Sequence, residues 1–298
     1  MNFFDISKNK YLRIFFPALA FAIGVCLWLA MKFDFEPDIA QFTGGSAPFI
    51  ISIVLSVIAA VFSALCYIPA KKYDIDTDTV PSSHYIFGAA LCAIMSVVTI
   101  VVRISDVRLT LSAIGSDGMF SALNTTQKLE LISTALMPFI TLSCVFSISD
   151  KTRNTAVHTV SWILAACCLI ISLFASYFDF STALNSPVRH YITVTKAALL
   201  FFMFSEARIS FGKRDKYPSY AISCFACALC SAISLGVCYG MFVYRLTESP
   251  LPSDPTLDIY TSSTYFALSF MALSRMFMLR TKEKAVKNDD TDDTAVNE

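Results

Sequence analysis

The sequence predicts an all-α, polytopic integral membrane protein, a bundle of eight transmembrane helices, and three observations carry that expectation. First, 55% of the 298 residues are apolar and only 15% are charged, with a mean hydropathy of +0.60. Water-soluble domains carry about 25% charged residues, so this chain has too little charge to wrap a wettable surface around so much apolar material. Second, uncharged runs recur at the length needed to cross about 30 Å of hydrocarbon, roughly 20 residues rising about 1.5 Å each. Third, the basic residues fall unequally on alternate loops. The same apolar runs, with ordinary Gly and Pro content, exclude a disordered chain, a fibre and a disulfide-stapled secreted module. A net charge of zero gives no basis for a nucleic-acid partner.

The runs are Ile14 to Met31, Ser46 to Ala70, Tyr85 to Val102, Leu131 to Ser149, Asn154 to Phe178, His190 to Phe211, Pro218 to Tyr244 and Ile259 to Leu279. Charge interrupts the sixth and the eighth. The first is not expected to be a cleaved signal peptide, because Ala18-Leu19-Ala20 lies in the middle of the apolar run. With loops assigned alternately, the side of the N-terminus holds fifteen Lys and Arg and the other side six, leaving Lys196 and Arg275 inside spans. The positive-inside rule then places both termini in the cytoplasm of a cell (plasma) membrane protein. Residues 1–280 form one eight-helix domain, and residues 281–298 a disordered, solvated acidic tail with Asp289, Asp290, Asp292, Asp293 and Glu298.

The loops carry weaker signals. Val107 to Ile114 is faintly amphipathic, either a surface-lying stretch or an ordinary loop. Asn124-Thr-Thr126 fits a glycosylation acceptor if the chain passes a eukaryotic secretory pathway. Glu248 to Pro255 reads as a stiff connector, since proline fixes φ. Asp74-Ile-Asp76-Thr-Asp78 alternates oxygen ligands as a calcium loop does, but Thr79 and Tyr85 stand where that loop needs Gly and Glu. It reads as a solvated loop whose acids offset Lys71 and Lys72. Phe62-Ser63, Phe146-Ser147, Phe204-Ser205 and Leu273-Ser274 recur at the same ends of the even-numbered spans, with separations too unequal for an inverted repeat.

Ionisable residues inside a span cost a few kcal/mol when unpaired and face a bundle interior or a wet cavity, roughly +2.5–3.5 kcal/mol at a helix centre. Glu206 lies sixteen residues past His190, and Arg275 sixteen residues past Ile259, so both reach about 24 Å from the outer end. His158 enters the fifth span by about one turn from the inner surface and falls near the same layer. These three make a candidate substrate or gate site on the cytoplasmic side. Taken singly, each has a plainer reading: Arg275 snorkelling, Glu206 pairing with Arg208, and His158 at headgroup level. Lys196, about 9 Å below the outer surface, is a fourth candidate, either a ligand or ion-pathway residue or a snorkelling one.

All ten cysteines lie within spans, and Cys224-Phe-Ala-Cys227-Ala-Leu-Cys230 repeats a CxxC spacing. No fourth cysteine follows at cluster spacing, and the run from Ser223 to Gly240 is rich in small residues, which close helix packing requires. No metal site and no cofactor are expected, because His84, His158 and His190 lie in separate segments and no phosphate-binding or dinucleotide motif is present. Pro17 and Pro138 fall inside spans, where each deletes a backbone donor. The functional expectation is a transporter-like or permease-like protein for a small solute, with the lipid bilayer as its other partner. The alternative is a non-transporting scaffold, sensor or assembly partner in which the charges fix helix register. An enzyme is not expected, since no nucleophile–base constellation is apparent. Substrate, coupling ion and oligomeric state are not encoded in any recognisable pattern.

Overall fold

The computed structural model describes residues 10–37, 41–43, 45–70, 82–114, 123–149, 152, 155–178, 186–212, 217–244 and 255–278. The Asp74 to Asp78 run, most of the proline-rich connector and the acidic tail lie outside them. The described elements are α1 (Lys10–Phe33), β1 (Phe35–Glu36), β2 (Gln41–Phe42), α2 (Ala47–Ala70), α3 (Ser83–Ile114), α4 (Thr125–Leu136), α5 (Pro138–Ile148), α6 (Ala156–Phe178), α7 (Pro187–Ser210), α8 (Tyr217–Tyr244) and α9 (Pro255–Met278).

Helix α3 packs on α9, α9 on α8, α8 on α7, α7 on α6, and α6 on the α4–α5 rod, which returns to α3. These contacts close a ring. Outside it, α1 lies along α8, and α2 touches only α1 and α8 among its larger contacts. Ile50, Ile51, Val54, Val57 and Val61 of α2 are exposed, as are Phe87, Ile94 and Val101 of α3 and Phe174 of α6. An apolar surface of this extent is stable against hydrocarbon and unstable against water. The molecule is thus a helical bundle of the multi-pass membrane type.

Six rods are long and apolar enough to cross a membrane: those within α1, α2, α3, α4–α5, α6 and α8. Length and composition therefore support six spans of the expected eight. Helices α7 and α9 have the same 24 residues as α1, but ionisable and hydroxyl side chains dilute their apolar content. Much of that polar content is turned inward. Thr264 and Thr99 are joined at 2.8 Å, and Ser262 and Ser234 at 3.0 Å, so α9 is bonded to α3 and α8 through hydroxyls. Such bonds satisfy hydroxyls that face a neighbouring helix.

The elements depart from the sequence reading in three places. Val107 to Ile114 is neither a separate surface stretch nor a loop: α3 runs unbroken for 32 residues through it. The fourth rod is divided at Pro138, which begins α5 at its first position while Met137 N–H turns back to Ser133 and Thr134 carbonyls. Proline has no N–H to continue the ladder and is tolerated at a helix start. Between α1 and α2 stands a small antiparallel hairpin, Phe35 against Phe42 and Glu36 against Gln41, pinned by buried Asp34, whose carboxylate takes the Ser46 hydroxyl and whose carbonyl takes Thr43 N–H at 2.7 Å.

Asn124 caps α4: its side chain accepts Gln127 N–H at 2.8 Å, and the Gln127 side chain accepts Asn124 N–H at 3.0 Å. Its amide therefore has a structural use independent of any glycan. Asn124→Ala removes this capping box and is expected to lower stability by about 1 kcal/mol, read as a reduced thermal midpoint of the detergent-solubilised protein.

Candidate functional site

Helical phase decides which polar side chains meet. On α7 the buried positions Leu199, Phe202, Met203, Glu206 and Ser210 fall on one stripe, so Glu206 faces inward because it is in register with the apolar residues before it. On α9, Thr264, Leu268, Met271 and Arg275 form the matching stripe. On α6 it is His158, Trp162, Ala165 and Leu169. Gly212, at φ +77° just past the end of α7, closes that helix with its N–H on the Ile209 carbonyl. The left-handed conformation suits glycine there.

The stripes converge at one end of the ring. Glu206 Oε1 lies 3.6 Å from Arg275 Nε, and both residues are nearly sealed, at 1% exposure each. The Tyr220 hydroxyl of α8 donates to the same Glu206 oxygen. The Arg275 guanidinium carbon stands 5.5 Å from the centre of the Tyr85 ring of α3, a cation–π distance. His158 Nε2 takes the indole N–H of Trp162 at 2.9 Å and lies 2.9 Å from the Ser147 hydroxyl oxygen of α5, and its Nδ1 is bonded to Ser210 of α7 at 3.1 Å. Ser210 is one turn past Glu206. Every member of the ring thus contributes a polar side chain to one buried layer.

Hydrogen-bond inventory fixes the imidazole. The indole N–H of Trp162 can only donate, so His158 Nε2 accepts, and the ring proton resides on Nδ1, facing Ser210 Oγ. Ser147 meanwhile donates to the Ser143 carbonyl at 2.7 Å. With its one lone pair engaged by the indole, His158 activates neither serine as a nucleophile in this arrangement. The network orients side chains and joins α5, α6 and α7.

Arg275 is the incompletely bonded member. Its Nη1 is buried without a hydrogen-bond partner among the described residues, while its Nε is held by the 3.6 Å ion-pair contact with Glu206. A buried donor left unmet costs about 1–3 kcal/mol, more when charged.

Of the four residues singled out from the sequence, the structure brings Glu206 and Arg275 into contact and joins His158 to the same helix one turn away. Arg208 points to the exposed side of α7. Lys196 stands apart, ten residues or about 15 Å along the helix axis from Glu206. It does not snorkel: it is 6% exposed, and its Nζ donates to Ser176 Oγ at 2.5 Å and the Ser172 carbonyl at 3.2 Å, both on α6. Arg189 donates to the carbonyls of Ser176 and Tyr177, fastening the start of α7 to the end of α6.

Sequence reading missed Tyr220, Tyr85 and Trp162. Only the i, i+4 spacing of Trp162 from His158 offered a signal. The CxxC repeat belongs to packing: the cysteines are free thiols, Cys227 Sγ donates to the Ala198 carbonyl at 3.1 Å, and no metal-binding group of His, Cys, Asp or Glu occurs among the described residues. The small residues of α8 admit α1. A Cβ at Gly236 would strike the Gly24 carbonyl oxygen, and one at Gly24 would meet the Ala232 carbonyl oxygen at 2.8 Å. No family model, curated protein or solved structure matches the chain.

Proposed function

We propose that the chain is an eight-span, permease-like protein of the plasma membrane that moves a small solute, with Glu206, Arg275 and His158 as binding or gate residues near its cytoplasmic face and Lys196 as an element of the outer half. The reading of α7 and α9 as spans rests on their length and on the inward bonding of their polar side chains. Cytoplasmic termini rest on the division of basic residues, fifteen against six.

One observation carries the functional reading: Arg275 is fully buried beside Glu206, yet among the described residues its Nη1 has no hydrogen-bond partner. A clamp selected only to fix helix register gains from complete pairing, whereas a site that must accept a ligand keeps donors in reserve. The opposing observation is the depth of burial itself, 1% exposure at Glu206, Arg275 and His158, which favours a scaffold whose charges set register. Reconstituted vesicles separate the two. Uptake of a panel of labelled monocarboxylates, amino acids, sugars and nucleosides is measured for the natural chain, Glu206→Gln and Arg275→Met at equal reconstituted amounts. Flux in the natural chain that is lost in both variants supports the permease, and unchanged flux in both variants refutes it.

A further inference from the structure

A cavity of about 190 Å³ lies between α1, α2 and α8. Phe16 and Ala20 of α1, Ala59 of α2 and Phe225 of α8 line it and are buried, while Ile222 of α8 lines it at 42% exposure. The lining thus runs from the interior out to the apolar surface that α2 presents through Val57 and Val61. At its inner side the Phe16 and Phe225 rings stack with centres 3.9 Å apart. One turn past Ala20, Gly24 meets Gly236 backbone to backbone, so α1 and α8 present a fixed groove to α2, whose Ala59 and Ala60 are too short to fill it. Water is a poor occupant. A buried water needs two to four polar partners, and Ser63, the one hydroxyl among the described lining residues, donates to the Ala59 carbonyl at 2.8 Å. An apolar cavity of about 150 Å³ already takes a guest such as benzene, and the medium against this surface is hydrocarbon.

Charge at the near end of the cavity narrows the occupant further. Phe16 is six residues past the start of α1 and Ile222 five past the start of α8, or about 9 and 7.5 Å along the axes. The sequence at this end is basic. Lys8, Lys10 and Arg13 lead into α1, Lys213, Arg214 and Lys216 into α8, and Lys71 and Lys72 follow α2, eight cations against the five acids Asp5, Asp74, Asp76, Asp78 and Asp215. On α1, Arg13 stands three residues before Phe16 and seven before Ala20, in register with the face that lines the cavity. A negative headgroup with a hydrocarbon tail matches both features.

We propose that this cavity binds one acyl chain of an anionic phospholipid, whose headgroup stays at the basic ends of α1 and α8. The site is independent of the permease reading. Its occupant ties α2, whose larger contacts are with α1 and α8, to the rest of the bundle.

The full chain in detergent tests this with phosphatidylglycerol carrying a diazirine on one acyl chain, the adducts being located by peptide mass spectrometry. Adducts concentrate on residues 16–20, 59–63 and 222–229. Unlabelled phosphatidylglycerol removes them at about tenfold lower concentration than phosphatidylcholine with the same chains. Ala59→Leu and Ala60→Leu each place a branched side chain in the cavity. Their thermal midpoints in lipid-free detergent equal or exceed that of the natural chain, as cavity filling allows, and their adducts on the three segments fall about tenfold. Arg13→Gln keeps the adducts and reduces the preference for phosphatidylglycerol. The proposal is overturned if adducts spread evenly over the lipid-facing segments of α2, α3 and α6, if folded leucine variants label like the natural chain, or if phosphatidylcholine competes as well as phosphatidylglycerol. Where a leucine variant fails to fold, the location of the adducts and the competition decide alone.

Discussion

Arg275→Met is expected to destabilise the purified protein by about 3–5 kcal/mol, because it leaves the Glu206 carboxylate buried with one hydroxyl donor and no counter-charge. Glu206 lies 3.6 Å from the guanidinium at 1% exposure, so water cannot replace the lost partner without opening the ring. The double variant Glu206→Gln with Arg275→Met is expected to recover most of this loss, since two neutral side chains of similar volume need no pairing. Midpoints of thermal unfolding in detergent for the two single variants and the double complete a cycle. A coupling energy of about 2–3 kcal/mol is expected, and additive losses would show that the two charges act independently.

Gly236→Val should be the most damaging single change outside that layer. Its Cβ falls on the Gly24 carbonyl, with the Gly24 carbonyl carbon at 2.9 Å and Cα at 3.0 Å. These are backbone atoms, so the strain has no flexible side chain to absorb it, and α1 must move off α8. Overpacking of this kind costs about 1–3 kcal/mol, and the loss of α1 contact also uncovers α2, whose larger contacts are with α1 and α8. Gly236→Ala should cost less than Val in the same thermal assay, the order expected of a steric defect.

The bundle was legible because apolar length is a strong signal. Each expected run overlaps a helical rod, and the cut at Pro138 follows from its missing N–H. The layer of Glu206, Arg275 and His158 was legible too, because three ionisable groups stand out against apolar neighbours and a rise of about 1.5 Å per residue sets their depth. Their neighbours were not. Tyr85 and Tyr220 belong to a chain with 12 Tyr and 26 Phe, and an aromatic residue at the start of a span reads as an ordinary interface anchor. Ser147 sits within the repeated Phe-Ser pairs, a pattern whose meaning depends on which helix faces it. Lys196 misled for a related reason. Its depth was computable, but whether its stem runs up to headgroups or across to Ser172 and Ser176 depends on how close α6 lies, and only the packing decides that.

The most direct measurement is the exchange of the charges, Glu206→Arg with Arg275→Glu, assayed in reconstituted vesicles for abundance and for flux of the solute identified with the natural chain. An ion pair is indifferent to which helix carries which sign, whereas a ligand that meets Arg275 beside Tyr85 is not. The expected result is restored abundance relative to either single variant, with flux still lost. Recovery of abundance and flux together would contradict it and reduce the pair to a structural clamp.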